Sequence, residues 1–169
     1  MKKLLILCAI TVIFFSFKAA DPCKAIKRSY DAMDNKTTLH SPYMGSLIAA
    51  TTPRPIVIIK SITDSDTAYY MSFSTYSGVV AVSKKGLKVL FTDGTKWERA
   101  EAKIKTEVST LDGIGGYEYS TFVKVTKEDL LLFETKNVKQ IRLFVFDNFM
   151  MKKWGEQLRQ HVTCIQSMY

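Results

Sequence analysis

Histidine is the scarcest chemistry-bearing residue of this 169-residue chain, present only as His40 and His161. Imidazole is the usual base near neutral pH, so a Ser-His-Asp or Cys-His arrangement has two positions to draw on. No Gly-x-Ser-x-Gly elbow accompanies them. His161 and Cys164 fall one helical turn apart and could share a metal, but no further ligand cluster joins them. A helix-face histidine beside a disulfide is therefore the preferred reading. Asp64-Ser65-Asp66-Thr67 offers oxygen ligands but lacks the remaining carboxylates and the glycine of an EF-hand loop, and reads as a hairpin turn. Residues 112–116 are glycine-rich, yet no Lys-Ser/Thr follows, so they do not form a phosphate loop. Neither a metal nor a cofactor is expected.

A one-signed surface is also missing. The formal charge is +8, but the lysines are interleaved with acids, as in Lys96-Trp97-Glu98-Arg99-Ala100-Glu101. No basic stripe follows a phosphate backbone, and no nucleic-acid motif is present. Nor is there a repeat of fixed period or a low-complexity tract. The longest apolar run, residues 4–17, falls short of the roughly 20 residues a membrane span needs.

That run has a different meaning. Met1-Lys2-Lys3 is a basic start, the run is an apolar middle, and Ala19-Ala20 is a small-residue exit, together the pattern of a cleaved secretory signal. Lys18 would sit at the usually small third position before the cut, so the scissile bond stays open. An uncleaved anchor is the alternative. Lipid attachment fails, because Leu7 and Pro22 precede Cys8 and Cys23 where a small residue is required. Removing residues 1–20 takes away Lys2, Lys3 and Lys18 and no acid, so the charge falls from +8 to +5. The expected organisation is a signal over 1–20 and one domain over 21–169, located in the periplasm or outside the cell, with no membrane span after cleavage.

Cysteine use fits export. Cys8 leaves with the leader, and the remaining pair, Cys23 and Cys164, suggests a disulfide tying the mature N-terminus to the C-terminal helix. Two separate buried thiols are the competing reading.

With 47% apolar residues the chain can build a substantial core. Asp21-Pro22 predicts a helix start, and Cys23, Ile26, Tyr30 and Met33 at spacings 3, 4 and 3 mark its apolar face. Asn35-Lys36-Thr37 matches a glycosylation acceptor but reads better as a polar turn. Residues 38–54 are less regular, and Thr52-Pro53-Arg54-Pro55 is extended. Ile56–Ile62 is a strand apolar on both faces and hence central. Residues 67–76 alternate, with Tyr69, Met71 and Phe73 on one face and Tyr70, Ser72, Ser74 and Tyr76 on the other. Residues 78–108 predict a meander reversed at Lys84-Lys85-Gly86 and Asp93-Gly94. Its last strand points Ala102, Ile104, Thr106 and Val108 inward, with Lys103, Lys105 and Glu107 outward. A flexible connection over 112–116 leads into strand Tyr117–Val125. Thr126 and Asp129 predict a capping box. Residues 138–147 read as one strand, Ile141, Leu143 and Val145 opposite Phe144 and Phe146. Met151, Trp154, Leu158, Val162 and Ile165 stripe a C-terminal helix, which Gly155 weakens by roughly 1 kcal/mol relative to Ala. The fold class is α+β: a mainly antiparallel sheet with N- and C-terminal helices packed on it.

The run from Lys85 to Trp97, Tyr117-Glu118-Tyr119-Ser120, Val125-Thr126-Lys127-Glu128-Asp129-Leu130 and Gln140-Ile141-Arg142-Leu143 resembles small exported proteins of Bacteroidota. The resemblance spans about half the chain. It implies a compartment and a fold of strand, Asp-Gly hairpin, strand, Thr-capped helix and Ile-Arg strand, and supplies no catalytic residue.

The functional expectation is an exported, non-enzymatic binding protein for a protein or small-molecule ligand. The Tyr70, Ser72, Ser74, Tyr76 face is the surface candidate, because tyrosine offers large contact area at low entropy cost. Its competitor is a face covered by a helix, with tyrosines that merely pack. A subunit or inhibitor within an envelope complex is the alternative. A hydrolase or thiol enzyme using His161 ranks last.

Overall fold

A computed structural model of the chain describes residues 21–45, 55–80, 86–100, 104–111, 113 and 115–169. The leader, the 52–54 part of the extended stretch, Lys84-Lys85, Ala102-Lys103, Asp112 and Ile114 lie outside the described residues. The described chain is an α+β fold with two antiparallel sheets, ten strands in all.

After a single 3-10 turn, Pro22–Ala25, come β1 (Lys27–Asp31), β2 (Lys36–His40), β3 (Ile56–Ile62), β4 (Thr67–Ser77), β5 (Gly86–Phe91) and β6 (Lys96–Ala100). Then follow β7 (Lys105–Thr110), β8 (Tyr117–Val125), α1 (Lys127–Thr135), β9 (Val138–Leu143), β10 (Phe146–Phe149) and α2 (Lys152–Ser167). The larger sheet runs β1-β2-β3-β4-β8-β7 and the smaller β10-β9-β5-β6.

The N-terminal helix is the first correction. Asp21 does cap, accepting from the Cys23 N–H at 3.0 Å, but the helical turn ends at Ala25 and the chain enters the β1–β2 hairpin. Asp31 accepts the Met33 N–H at 2.9 Å and Asn35 sits at φ 45°, a turn that a continuing helix cannot contain. Tyr30 and Met33, expected on a buried stripe, are 63% and 94% exposed.

The meander is the second correction. The β5–β6 hairpin forms with Gly94 at φ 86°, as Asp93-Gly94 predicts. However, β4 pairs with β8, and β5 pairs with β6 and β9 in the other sheet. The chain returns to the first sheet at β7, whose edge position leaves Val108 exposed. Adjacent apolar strands carry no label for which sheet they join, so local alternation cannot separate these arrangements.

The third correction falls within 138–147, which is two strands. Leu143 faces Phe146 across a two-residue turn in which Phe144 adopts φ 58°. That conformation is costly for an aromatic residue. It is held by the Phe144 N–H donating to Gly86 O at 2.9 Å and by the ring packing edge-on to Tyr119 at 5.0 Å.

β3 is central, as its two apolar faces predict. The inner faces of the sheets share one core that includes Ile58, Met71, Phe73, Val123, Val89, Trp97 and Leu143. Thr75 and Asn148 exchange hydrogen bonds across it at 3.1–3.3 Å. The capping box at the start of α1 is formed: Asp129 N–H donates to Thr126 Oγ1 at 3.1 Å, and Thr126 N–H to Asp129 Oδ2 at 3.0 Å. From α1, Phe133 packs edge-on against Phe91 and Trp97. Leu158, Val162 and Ile165 of α2 are buried, while Met151 at its start is exposed. Gly155 has a use as well as a cost. A Cβ there would lie 3.3 Å from Val138 O, so its absence lets α2 approach β9. Cys23 and Cys164 are joined by a disulfide, with Cα atoms 5.2 Å apart.

Candidate functional site

Alternation along β4 sends Tyr69, Met71, Phe73 and Thr75 into the core and leaves Tyr70, Ser72, Ser74 and Tyr76 together on the outer face, each half-buried. Register then fixes their neighbours. Across β8, Tyr70 faces Lys124, Ser72 faces Phe122, Ser74 faces Ser120 and Tyr76 faces Glu118. On the β3 side Tyr70 meets Ile59 and Ser72 meets Val57. Both helices engage the opposite side: Phe133 of α1 packs on Trp97 in the core, and the end of α2 meets the inward Lys60.

The four residues are not equivalent. Tyr70 stacks on Phe122, ring centroids 4.9 Å apart and planes 16° from parallel, and Phe122 remains 41% exposed. Tyr76 is held, its hydroxyl donating to Gly115 O at 3.0 Å. Gly116, at φ 96°, gives that ring room, since a Cβ there would come within 2.6 Å of it. Gly115 and Gly116 are thus the seat of Tyr76. Ser72, Ser74 and Ser120 lie between the two aromatic positions, giving a hydroxyl-lined strip that ends in an exposed ring stack. Such a strip can take a sugar ring or an extended peptide by stacking and hydroxyl hydrogen bonds.

Phe122 was missed in the sequence, although a signal existed. In β8, Tyr119, Thr121, Val123 and Val125 point inward, so an aromatic at the outward position 122 breaks the alternation.

The remaining candidates stay apart. His161 is 2% exposed on α2, its Nδ1 has no hydrogen-bond partner among the described residues, and burial lowers its pKa from the usual 6.5. His40 lies on β2, with Nδ1 3.3 Å from Ser41 O. Cys164 is committed to the disulfide with Cys23, which leaves neither sulfur as a thiolate nucleophile. Asp64 accepts a hydrogen bond from the Asn35 amide, and the Asp66 N–H donates to Thr63 Oγ1 at 3.2 Å, so the 64–67 loop ties two hairpins together. Among the described residues no group of three or more His, Cys, Asp or Glu is placed to hold a metal. None of the described helices is long and apolar enough to cross a membrane.

Lys60 is 3% exposed, and burial first, then Lys127, lowers its pKa. A buried lysine can mark a reactive site. Here its ammonium donates to Met168 O at 2.6 Å and sits over the Tyr69 and Tyr169 rings, which makes it a clamp on the end of α2.

A shallow depression of about 250 Å³ on the outer face of the smaller sheet is lined by Lys88, Lys96, Glu98, Gln140 and Arg142. Its charges are largely matched: Lys88 pairs with Glu98 at 3.3 Å, and Arg142 forms a two-pronged bridge to Asp147 at 2.6 and 2.7 Å. It offers little field for a charged ligand.

Comparison of the chain with family models, curated proteins and solved structures gave no match.

Proposed function

We propose that this is an exported, disulfide-tied binding protein whose outer β4–β8 face meets a sugar or an extended peptide. The observation that carries the reading is the Tyr70–Phe122 stack, left partly open beside Ser72, Ser74 and Ser120. Stacked rings at an open face contribute to binding, while the core itself is filled from the other face. Commitment of Cys23 and Cys164 to one bond, and the enclosed position of His161, favour a binding role over a thiol or histidine enzyme. The signal-like leader and the resemblance to exported Bacteroidota proteins support the compartment.

Native mass spectrometry of the protein gently purified from its own host tests this. A mass for residues 21–169 less two hydrogens, carrying a bound saccharide or peptide that Tyr70→Ala and Phe122→Ala abolish, is the expected result. Turnover of a hydrolase substrate that His161→Ala removes without loss of stability would overturn it. A stoichiometric protein chain would instead favour the reading as a subunit or inhibitor of an envelope complex.

A further inference from the structure

Among the described residues the two sheets end in four edge strands, β1 and β7 on the larger, β10 and β6 on the smaller. An edge presents unpaired N–H and C=O groups, and proteins protect it by covering it, keeping it short or placing charges on it, so that only a partner whose charges match can pair there. All five residues of β1, Lys27, Arg28, Ser29, Tyr30 and Asp31, are exposed; β7 is nearly as open, exposed from Glu107 to Thr110, but only β1 carries opposite charges at its two ends, Lys27 and Asp31. β6 buries Trp97, and β10 alternates half-buried Phe146 and Asn148 with exposed Asp147 and Phe149.

The order of side chains in β1 is complementary to itself. In an antiparallel pairing centred on Ser29, Lys27 lies opposite the partner's Asp31 and Arg28 opposite the partner's Tyr30. The first match joins opposite charges. The second places a guanidinium beside an aromatic ring. Within the chain, Asp31 already faces Lys36 and Lys27 faces His40 on β2. Pairing would therefore set Asp31 between two lysines and give Lys27 its only directly opposite acid. Centring on one residue gives regular hydrogen bonding whether Ser29 or its neighbours direct their backbone groups outward.

We propose that β1 is the docking edge for a second copy of this chain, forming an isologous dimer through antiparallel β1–β1 pairing about Ser29. The twofold axis runs normal to the sheet, so the two six-stranded sheets become one of twelve strands. Both Tyr70–Phe122 faces then look the same way. Five residues per copy make a small interface, and the dimer is expected to dissociate at ~10 μM to ~1 mM.

Sedimentation equilibrium of the mature, disulfide-bonded protein across that concentration range is the test. Lys27→Asp leaves the Asp31–Met33 turn untouched and, counted twice by symmetry, opposes like charges; it should weaken the dimer by about tenfold or more. Asp31→Lys should do the same. An equimolar mixture of the two variants restores both charge matches, and should associate as the unaltered protein does. A protein monomeric at ~1 mM, a dimer indifferent to Lys27→Asp, or a mixture that stays monomeric would overturn the proposal.

Discussion

The Trp97 indole N–H donates to Asp129 Oδ1 at 2.7 Å, joining β6 to the first turn of α1. The same carboxylate accepts from Arg99, whose guanidinium also lies 4.4 Å from the centre of the Trp97 ring, and from the Thr126 N–H. One side chain thus caps a helix and fastens it to the smaller sheet. The hydrogen bonds from Thr126, Trp97 and Arg99 outweigh burial and hold its pKa below the usual carboxylate value.

Asp129→Ala removes the cap partner and leaves the indole N–H without its acceptor. A loss of about 2–3 kcal/mol is expected, read from urea unfolding. Asp129→Asn keeps an acceptor and should cost less. Equal losses would show that both oxygens are needed, because the amide turns its NH2 toward one of the donors that Oδ1 and Oδ2 now accept from.

Reduction of the Cys23–Cys164 bond, or Cys23→Ser with Cys164→Ser, should lower stability by about 2–5 kcal/mol. Comparison of thermal unfolding with and without reductant checks this. An unchanged midpoint would mean that the contact between the first turn and α2 holds without the bond.

His161 should make the protein sensitive to mild acid. Burial lowers its pKa from 6.5, so the unfolded chain binds a proton more readily than the folded one. Its contribution is full above about pH 6.5 and falls as the pH drops through that value toward the lower folded pKa. His161→Leu should flatten the stability profile between about pH 7 and pH 5, and at Nδ1 it removes no hydrogen bond made among the described residues. An unaltered slope would place the acid sensitivity elsewhere.

Phe144 gives an inversion of the usual ranking. Phe144→Ala removes the ring from Tyr119 but keeps a Cβ at φ 58°; Phe144→Gly loses the same packing and relieves the backbone. Both should destabilise by about 3–5 kcal/mol, with the glycine variant the more stable of the two. Chemical denaturation ranks them, and a more stable alanine variant would show that the turn is unstrained.

Parts of this architecture were legible because a local cause sufficed. Asp93-Gly94 supplies its own turn geometry, Thr126 and Asp129 cap each other, and Leu158, Val162 and Ile165 stripe α2 whatever the rest does. β3 announces its central place by being apolar on both faces. The misreadings share a different cause. Ile26, Tyr30 and Met33 have helical spacing by coincidence, and only pairing with β2 shows that β1 is a strand. The Phe144–Val145 turn has no glycine, proline or asparagine, because tertiary packing holds it. Of the proposed binding face, the β4 half was visible as alternation. The β8 half needed the register of two strands about fifty residues apart, which no local pattern encodes.

The disulfide has a consequence in time. Its two ends are 141 residues apart, so a chain growing or emerging from its N-terminus carries Cys23 long before the partner sulfur exists. Every described strand and α1 lie between them. Until Cys164 has been made the bond cannot form, so it can take no part in any pairing of β3 with β4 that precedes the last helix, and an oxidised protein is one whose last helix has met the first turn.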